Sequence, residues 1–140
     1  MLVRILYVSR AVGPQTSTVT ASILMTAQES NPKHGIGGVL CQGQGLYLQL
    51  LEGERSAVNR LFARILVDVR HQDVELLHLQ EVERRRFAAW SMAHVALRAD
   101  DPMILLQHPE FDPYSAPGAM AMRLIDELCA AGQRIQLPVA

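Results

Sequence analysis

The sequence predicts a fold of the α/β (α+β) type, a five-stranded mixed sheet with two helices on one face. Three observations lead there. Five short segments are apolar and β-rich, two segments with a helical repeat separate them, and turn or cap residues fall at the boundaries. Their order is strand, helix, strand, strand, helix, strand, strand: a βαββαββ or ferredoxin-like plan with one extra strand.

The first strand covers residues 2–10, LVRILYVSR, apolar on both parities as a strand covered on both faces should be. GPQTST then supplies turn and cap residues for a helix over 18–30, with Ile23, Leu24 and Ala27 inward. That helix stops at SNPKHG, where Pro32 and Gly35 break it. GIGGVLCQ (35–42) and LYLQLLE (46–52) flank GQG, a hairpin signal. A second helix is expected over 55–70, because Val58, Leu61, Phe62, Ile65, Leu66 and Val69 recur on one face. Strands over 74–84 and 91–98 complete the sheet. Beyond Arg98, DPMILLQHPEF and APGAMAMRLIDELCAAG read as a short and a longer helix, expected on the sheet's other face. The chain thus divides into a core, 1–98, and a helical extension, 99–140.

Composition excludes several classes of function. A chain of 140 residues with a net charge of -1 suits one domain and carries no basic excess for nucleic acid. Arg4 and Arg10 interrupt the apolar N-terminal stretch, and no run reaches the ~18 apolar residues of a membrane span. Cys41 and Cys129 lie far apart, and the five histidines form no HxH or HExxH pattern, so no metal site is expected. GIGG lacks the GxGxxG spacing, and neither Ser9 nor Ser91 has a histidine and an acid at suggestive spacing. A reduced, cytoplasmic protein is the expectation, with no membrane partner.

Two polar features stand out. Gln49 interrupts the apolar stretch LYLQLLEG, and burying its amide unpaired costs about 1–3 kcal/mol. Tyr7 shares its strand parity with Val3 and Ile5, so two adjacent central strands can bring its hydroxyl to Gln49 on the helix side. From the residues alone, a bond that merely satisfies two core groups is an equal alternative. The second helix also carries Arg60, Arg64, Asp68 and His71 at steps of four, four and three. This stripe is either a solvated face with an Arg64–Asp68 pair or the border of a ligand between the helices.

LYVSR with Tyr7, SNPKHGIGGVL with Asn31, YLQLLEG with Gln49, RILVDVRH with Arg64 and Asp68, and RRRFAAWSM with Trp90 and Met92 closely resemble the BLUF family of blue-light sensors, in order over residues 2–98. The resemblance implies FAD bound noncovalently between the two helices, with Ile23 on the wall and Tyr7 as the photoactive tyrosine. It implies that Gln49 lies between tyrosine and flavin, that Asn31 bonds the ring's carbonyl edge, and that Arg64 and Asp68 lie near its polar edge. His71 is implied on the sugar-phosphate side, and Trp90 and Met92 as the pair that reports to the last strand. The chain departs from the family at Gly37, where many members carry threonine, and at Ser30, where some carry asparagine. The function implied is a photoreceptor without catalysis of its own, signalling to a separate downstream protein. Open sheet faces and the apolar helix with Met120, Met122, Leu124, Ile125 and Leu128 add the expectation of a homo-oligomer, although covering the sheet's second face would use the same residues. The competing readings are a flavin-free ferredoxin-like interaction module and a small flavin enzyme.

Overall fold

The computed structural model of the protein describes residues 1–88, 91–98, 113–130 and 134–135. β1 (Leu2–Ala11) leads to α1 (Ser17–Ser30), which Thr16 caps by accepting from the Val19 amide through its side chain. A 3-10 turn, Asn31–His34, ends at Gly35 in the left-handed region (φ 66°), which favours glycine. β2 (Gly37–Gly43) and β3 (Leu46–Glu54) form the expected hairpin. α2 (Arg55–Leu66), β4 (His71–Val82), β5 (Ala93–Ala96), α3 (Gly118–Ala130) and the two-residue β6 (Arg134–Ile135) follow.

The sheet runs β4-β1-β3-β2-β5-β6, antiparallel except for the parallel β2–β5 pair. β1 and β3 are central, and both of their faces are covered, which accounts for their nearly continuous apolar sequences. One face packs Val3, Ile5, Leu40, Leu51 and Met92 against Leu24 of α1 and Val58 of α2. The other packs Leu6, Val8, Leu48, Leu50 and Val95 against Ala121, Ile125 and Leu128 of α3. The longer C-terminal helix therefore lies on the sheet face opposite α1 and α2, as expected. The short helix expected within 101–111 falls outside the described residues, as does Trp90.

Several boundaries differ from expectation. α2 stops at Leu66, not 70, leaving Val67 and Val69 78% and 84% exposed, so Val69 is not part of the apolar face. Val67 leaves helical geometry (φ -101°, ψ 3°), and the Asp68 carboxylate accepts from the Arg70 backbone N–H at 2.9 Å. That local bond offers the backbone an alternative to a further helical turn, and two β-branched valines weaken the helix further. β4 accordingly begins at His71, and β5 is limited to residues 93–96. β6 adds a sixth strand that no sequence pattern announced.

Two packing details position the site. A Cβ on Gly38 would lie 1.9 Å from the Leu50 carbonyl oxygen, so the second GG position of GIGG is a close backbone approach between β2 and β3. The fully buried Glu52 carboxylate accepts from Arg4 Nε (2.6 Å) and from the backbone N–H groups of Arg86 and Phe87 (3.0 and 2.9 Å). A buried charge so satisfied anchors the connection that runs from β4 toward β5.

Candidate functional site

A cavity of about 230 Å³ lies between α1 and α2, over the middle of the sheet. Ile23 and Ala27 of α1 and Leu61 and Ile65 of α2 form apolar walls. Tyr7, Gln49, Leu40 and Tyr47 form the floor, and Ser30, Asn31, Arg64, Asp68, Arg70 and His71 also line it. All seven residues expected to bind the cofactor, Tyr7, Ile23, Asn31, Gln49, Arg64, Asp68 and His71, therefore face one space.

Strand register assembles the floor. Tyr7 is opposite Gln49 in the β1–β3 pair, and Gln49 is opposite Leu40 in the β3–β2 pair. The Tyr7 hydroxyl donates a short hydrogen bond to Gln49 Oε1, and Gln49 Nε2 donates to Met92 Sδ at 3.4 Å. Sulfur is a weak acceptor, so the Gln49 amide is firmly held on its oxygen side and loosely on its nitrogen side. Burial pushes the Tyr7 phenol far above its ordinary pKa, with the charges of Asp68 and Tyr47 acting the same way and Arg70 opposing. The phenol is thus a neutral donor, and the Phe62 ring packs against it with centroids 5.5 Å apart.

The rim differs from the expected charged stripe. Asp68 and His71 lie beyond the end of α2, and the Arg64–Asp68 pair does not form. Asp68 instead holds Arg70, with Arg70 Nη2 donating to Asp68 Oδ2 at 2.6 Å. That bond keeps the Asp68 carboxyl below the usual range and raises the Arg70 guanidinium. Arg64 has no ion pair among the described residues, which leaves its guanidinium available at the cavity. His71 Nε2 donates to the Ile65 carbonyl oxygen at 2.6 Å and Nδ1 accepts from Ser9 Oγ at 2.8 Å. With both ring nitrogens engaged, His71 offers the cavity a ring edge, packed against Tyr7 and Tyr47 at 6.2 and 6.4 Å. Asn31 is buried and donates through Nδ2 to the Ser91 carbonyl oxygen at 3.2 Å.

Arg70, Thr26 and Tyr47 join the cavity without having been singled out. The signal for Arg70 was DVR, where an aspartate can bond the backbone two residues on. Ser30, one of the two departures noted above, lies in the lining, whereas Gly37 is buried in β2.

The donor set fits a flat heteroaromatic group. Apolar side chains face each other across the slot, two side-chain amides lie at its edge, and a cation with five N–H donors stands ready for carbonyl or phosphate oxygens. Among the described residues no group of three or more His, Cys, Asp or Glu is disposed to hold a metal ion, and no helix is long and apolar enough to cross a membrane.

Comparison with known proteins agrees with this chemistry. Curated relatives include the beta subunit of photoactivated adenylate cyclase from Euglena gracilis, 34% identical over 92 residues, and that of Euglena longa, 33% identical over 92 residues. Each match covers 65% of this chain but only 11% of the relative, so the chain spans about a tenth of those proteins. Some solved structures match over nearly their whole length. The photo-activated state of BlsA gives a TM-score of 0.81 at 30% identity, covering 95% of this chain and 98% of that one. The BlsA ground state gives 0.82 at 29% (99% and 93%), and the dark state of BlrB, a BLUF protein, gives 0.74 at 28% (93% and 96%). The BLUF family profile, described as sensors of blue-light using FAD, matches residues 2–93. The chain belongs to the BLUF family.

Proposed function

We propose that this BLUF chain works as a blue-light photoreceptor, with the Tyr7–Gln49–Met92 hydrogen-bond chain as its switch. The observation that carries this reading is that one buried amide bridges a neutral phenol and a weak sulfur acceptor at the floor of the cavity. The isoalloxazine ring of FAD would lie between Ile23 of α1 and the apolar face of α2. Asn31 would hold its carbonyl edge, Arg64 and Asp68 its polar edge, and the His71 ring edge would border the chain beyond. When bound, FAD supplies absorption of blue light and an excited state that accepts an electron. Tyr7 would be an electron donor to it, its proton would leave along the existing bond to Gln49 Oε1, and both electron and proton would afterwards return to Tyr7. That return would leave the Gln49 amide rotated or as a tautomer, able to offer the cofactor a stronger hydrogen bond and so to shift its absorption to the red. Met92 loses its donor in the same event, which carries the change toward β5.

In this reading residues 1–98 are the sensor core and 99–140 an extension that relays the signal. No catalytic step is assigned to the chain, and the output is a changed contact with a separate cytoplasmic protein or within a homo-oligomer. Freshly purified protein should be yellow, release FAD on denaturation and show a reversible red shift under blue light. Colourless protein that takes up no added FAD would return the flavin-free interaction module to first place.

A further inference from the structure

The C-terminal end of α1 and the turn after it lie beside the segment that enters β5, and one amide from each reaches consecutive carbonyls there. Gln28 Nε2 donates to the Met92 carbonyl oxygen at 3.1 Å, and Asn31 Nδ2 donates to the Ser91 carbonyl oxygen at 3.2 Å. The β2–β5 ladder begins only at Val39–Ala93, so Ser91 and Met92 precede the strand pairing. Met92 is fully buried with Sδ 3.4 Å from Gln49 Nε2, a contact too weak to hold this backbone by itself. Gln28 does not line the cavity. Its amide thus acts on the switch only through Met92.

We propose that Gln28 is a positioning residue that holds Met92 Sδ against the Gln49 amide and so sets the lifetime of the light-induced state. The inference rests on the reading of Tyr7 and Gln49 as the photoactive pair. When the Gln49 amide turns its N–H away from Sδ, the Met92 side chain loses its polar tie, and the Gln28 bond to its backbone defines the position to which it returns. Removing that bond weakens the dark arrangement and slows the return to it. A hydrogen bond already remade in the transition state of recovery, and absent from the lit state, corresponds when lost to a roughly three- to tenfold slower recovery.

The test uses the flavin-loaded full chain, a blue-light pulse, and the dark decay of the red-shifted absorption measured across pH. Gln28→Ala should keep the shift and recover more slowly at every pH. Gln28→Glu keeps the length but faces a carbonyl oxygen with no donor until its carboxyl is protonated. Its recovery should therefore be slow at high pH and approach that of the unaltered protein as pH falls. The ionisable groups on the neighbouring elements are Glu29 on α1, Lys33 and His34 on the turn after it, and His94 on β5. Gln28→Ala retains all four, so its profile is the background. Unchanged recovery in both variants, with a normal shift in the unaltered protein, overturns this inference alone. No shift in the unaltered protein overturns the photoreceptor reading and this with it. If Gln28→Ala loses flavin, Gln28→Glu decides: convergence at low pH supports the proposal and its absence overturns it.

Discussion

The two faces of the sheet share the same strands and have opposite characters. On β1 and β3 the residues toward α3, Leu6, Val8, Leu48 and Leu50, are fully buried and belong to an apolar core. Their immediate neighbours in sequence, Tyr7, Ser9, Tyr47 and Gln49, point toward α1 and α2 and carry hydroxyls and an amide. Strand alternation alone separates scaffold from switch, so a one-residue slip in register would exchange them. One face can be rigid because the polar adaptability is confined to the other. The cavity face keeps about 230 Å³ of space, whereas the α3 face is filled by Ile125 and Leu128.

Substitutions that break this division should affect different observables. The largest stability effect is expected on the α3 face. Leu50→Ala removes a fully buried side chain beneath the flavin floor and should cost about 2–5 kcal/mol by denaturant unfolding. The photochemistry of the fraction that folds should be intact, and a small loss would mean that this face is less tightly packed than described. On the cavity face, Arg64→Ala should lower flavin occupancy after purification while leaving stability within about 0.5 kcal/mol, as expected of a side chain with no ion pair to lose. Unchanged occupancy with a lower melting temperature would reduce Arg64 to a surface residue.

A smaller effect concerns His94, which lies on β5 in register with Leu40 of the cavity floor. Burial lowers its pKa, and its Nε2 is buried without a hydrogen-bond partner among the described residues. The unfolded chain therefore binds the proton more readily than the folded one. Stability should fall as pH drops below the ordinary histidine value of about 6.5, and the loss should be complete once pH passes below the folded pKa. His94→Gln should flatten that part of the stability profile. An identical slope in this variant would place the acid sensitivity elsewhere.

How far the sequence discloses the two faces follows from what each depends on. The strands and the hairpin follow from near-continuous apolar, β-rich runs bounded by turn residues, and the Tyr7–Gln49 pairing from strand parity, and these are local signals. The end of α2 was hidden because its apolar repeat runs on through Val69, while Asp68 turns its carboxylate to the Arg70 backbone. The same error made Asp68 and His71 look like part of a helical stripe, although the cavity collects them from a turn and a strand. The Gln28 bond was not legible at all, since its partner lies 64 residues away and glutamine on a helix is ordinary. Membership in the cavity survived these errors because Arg64, Asp68 and His71 all stay at the same end of the structure, whether helical or not.

The central claim is that the Tyr7 hydroxyl, through Gln49, turns absorbed light into a changed hydrogen bond. Tyr7→Phe removes that hydroxyl with almost no change in volume, so the cavity and its flavin should remain. Blue-light difference spectra of this variant, purified with FAD, test the claim directly. The account predicts normal flavin occupancy with no light-induced red shift. A shift of ordinary size and lifetime in Tyr7→Phe would contradict it and remove the phenol from the switch.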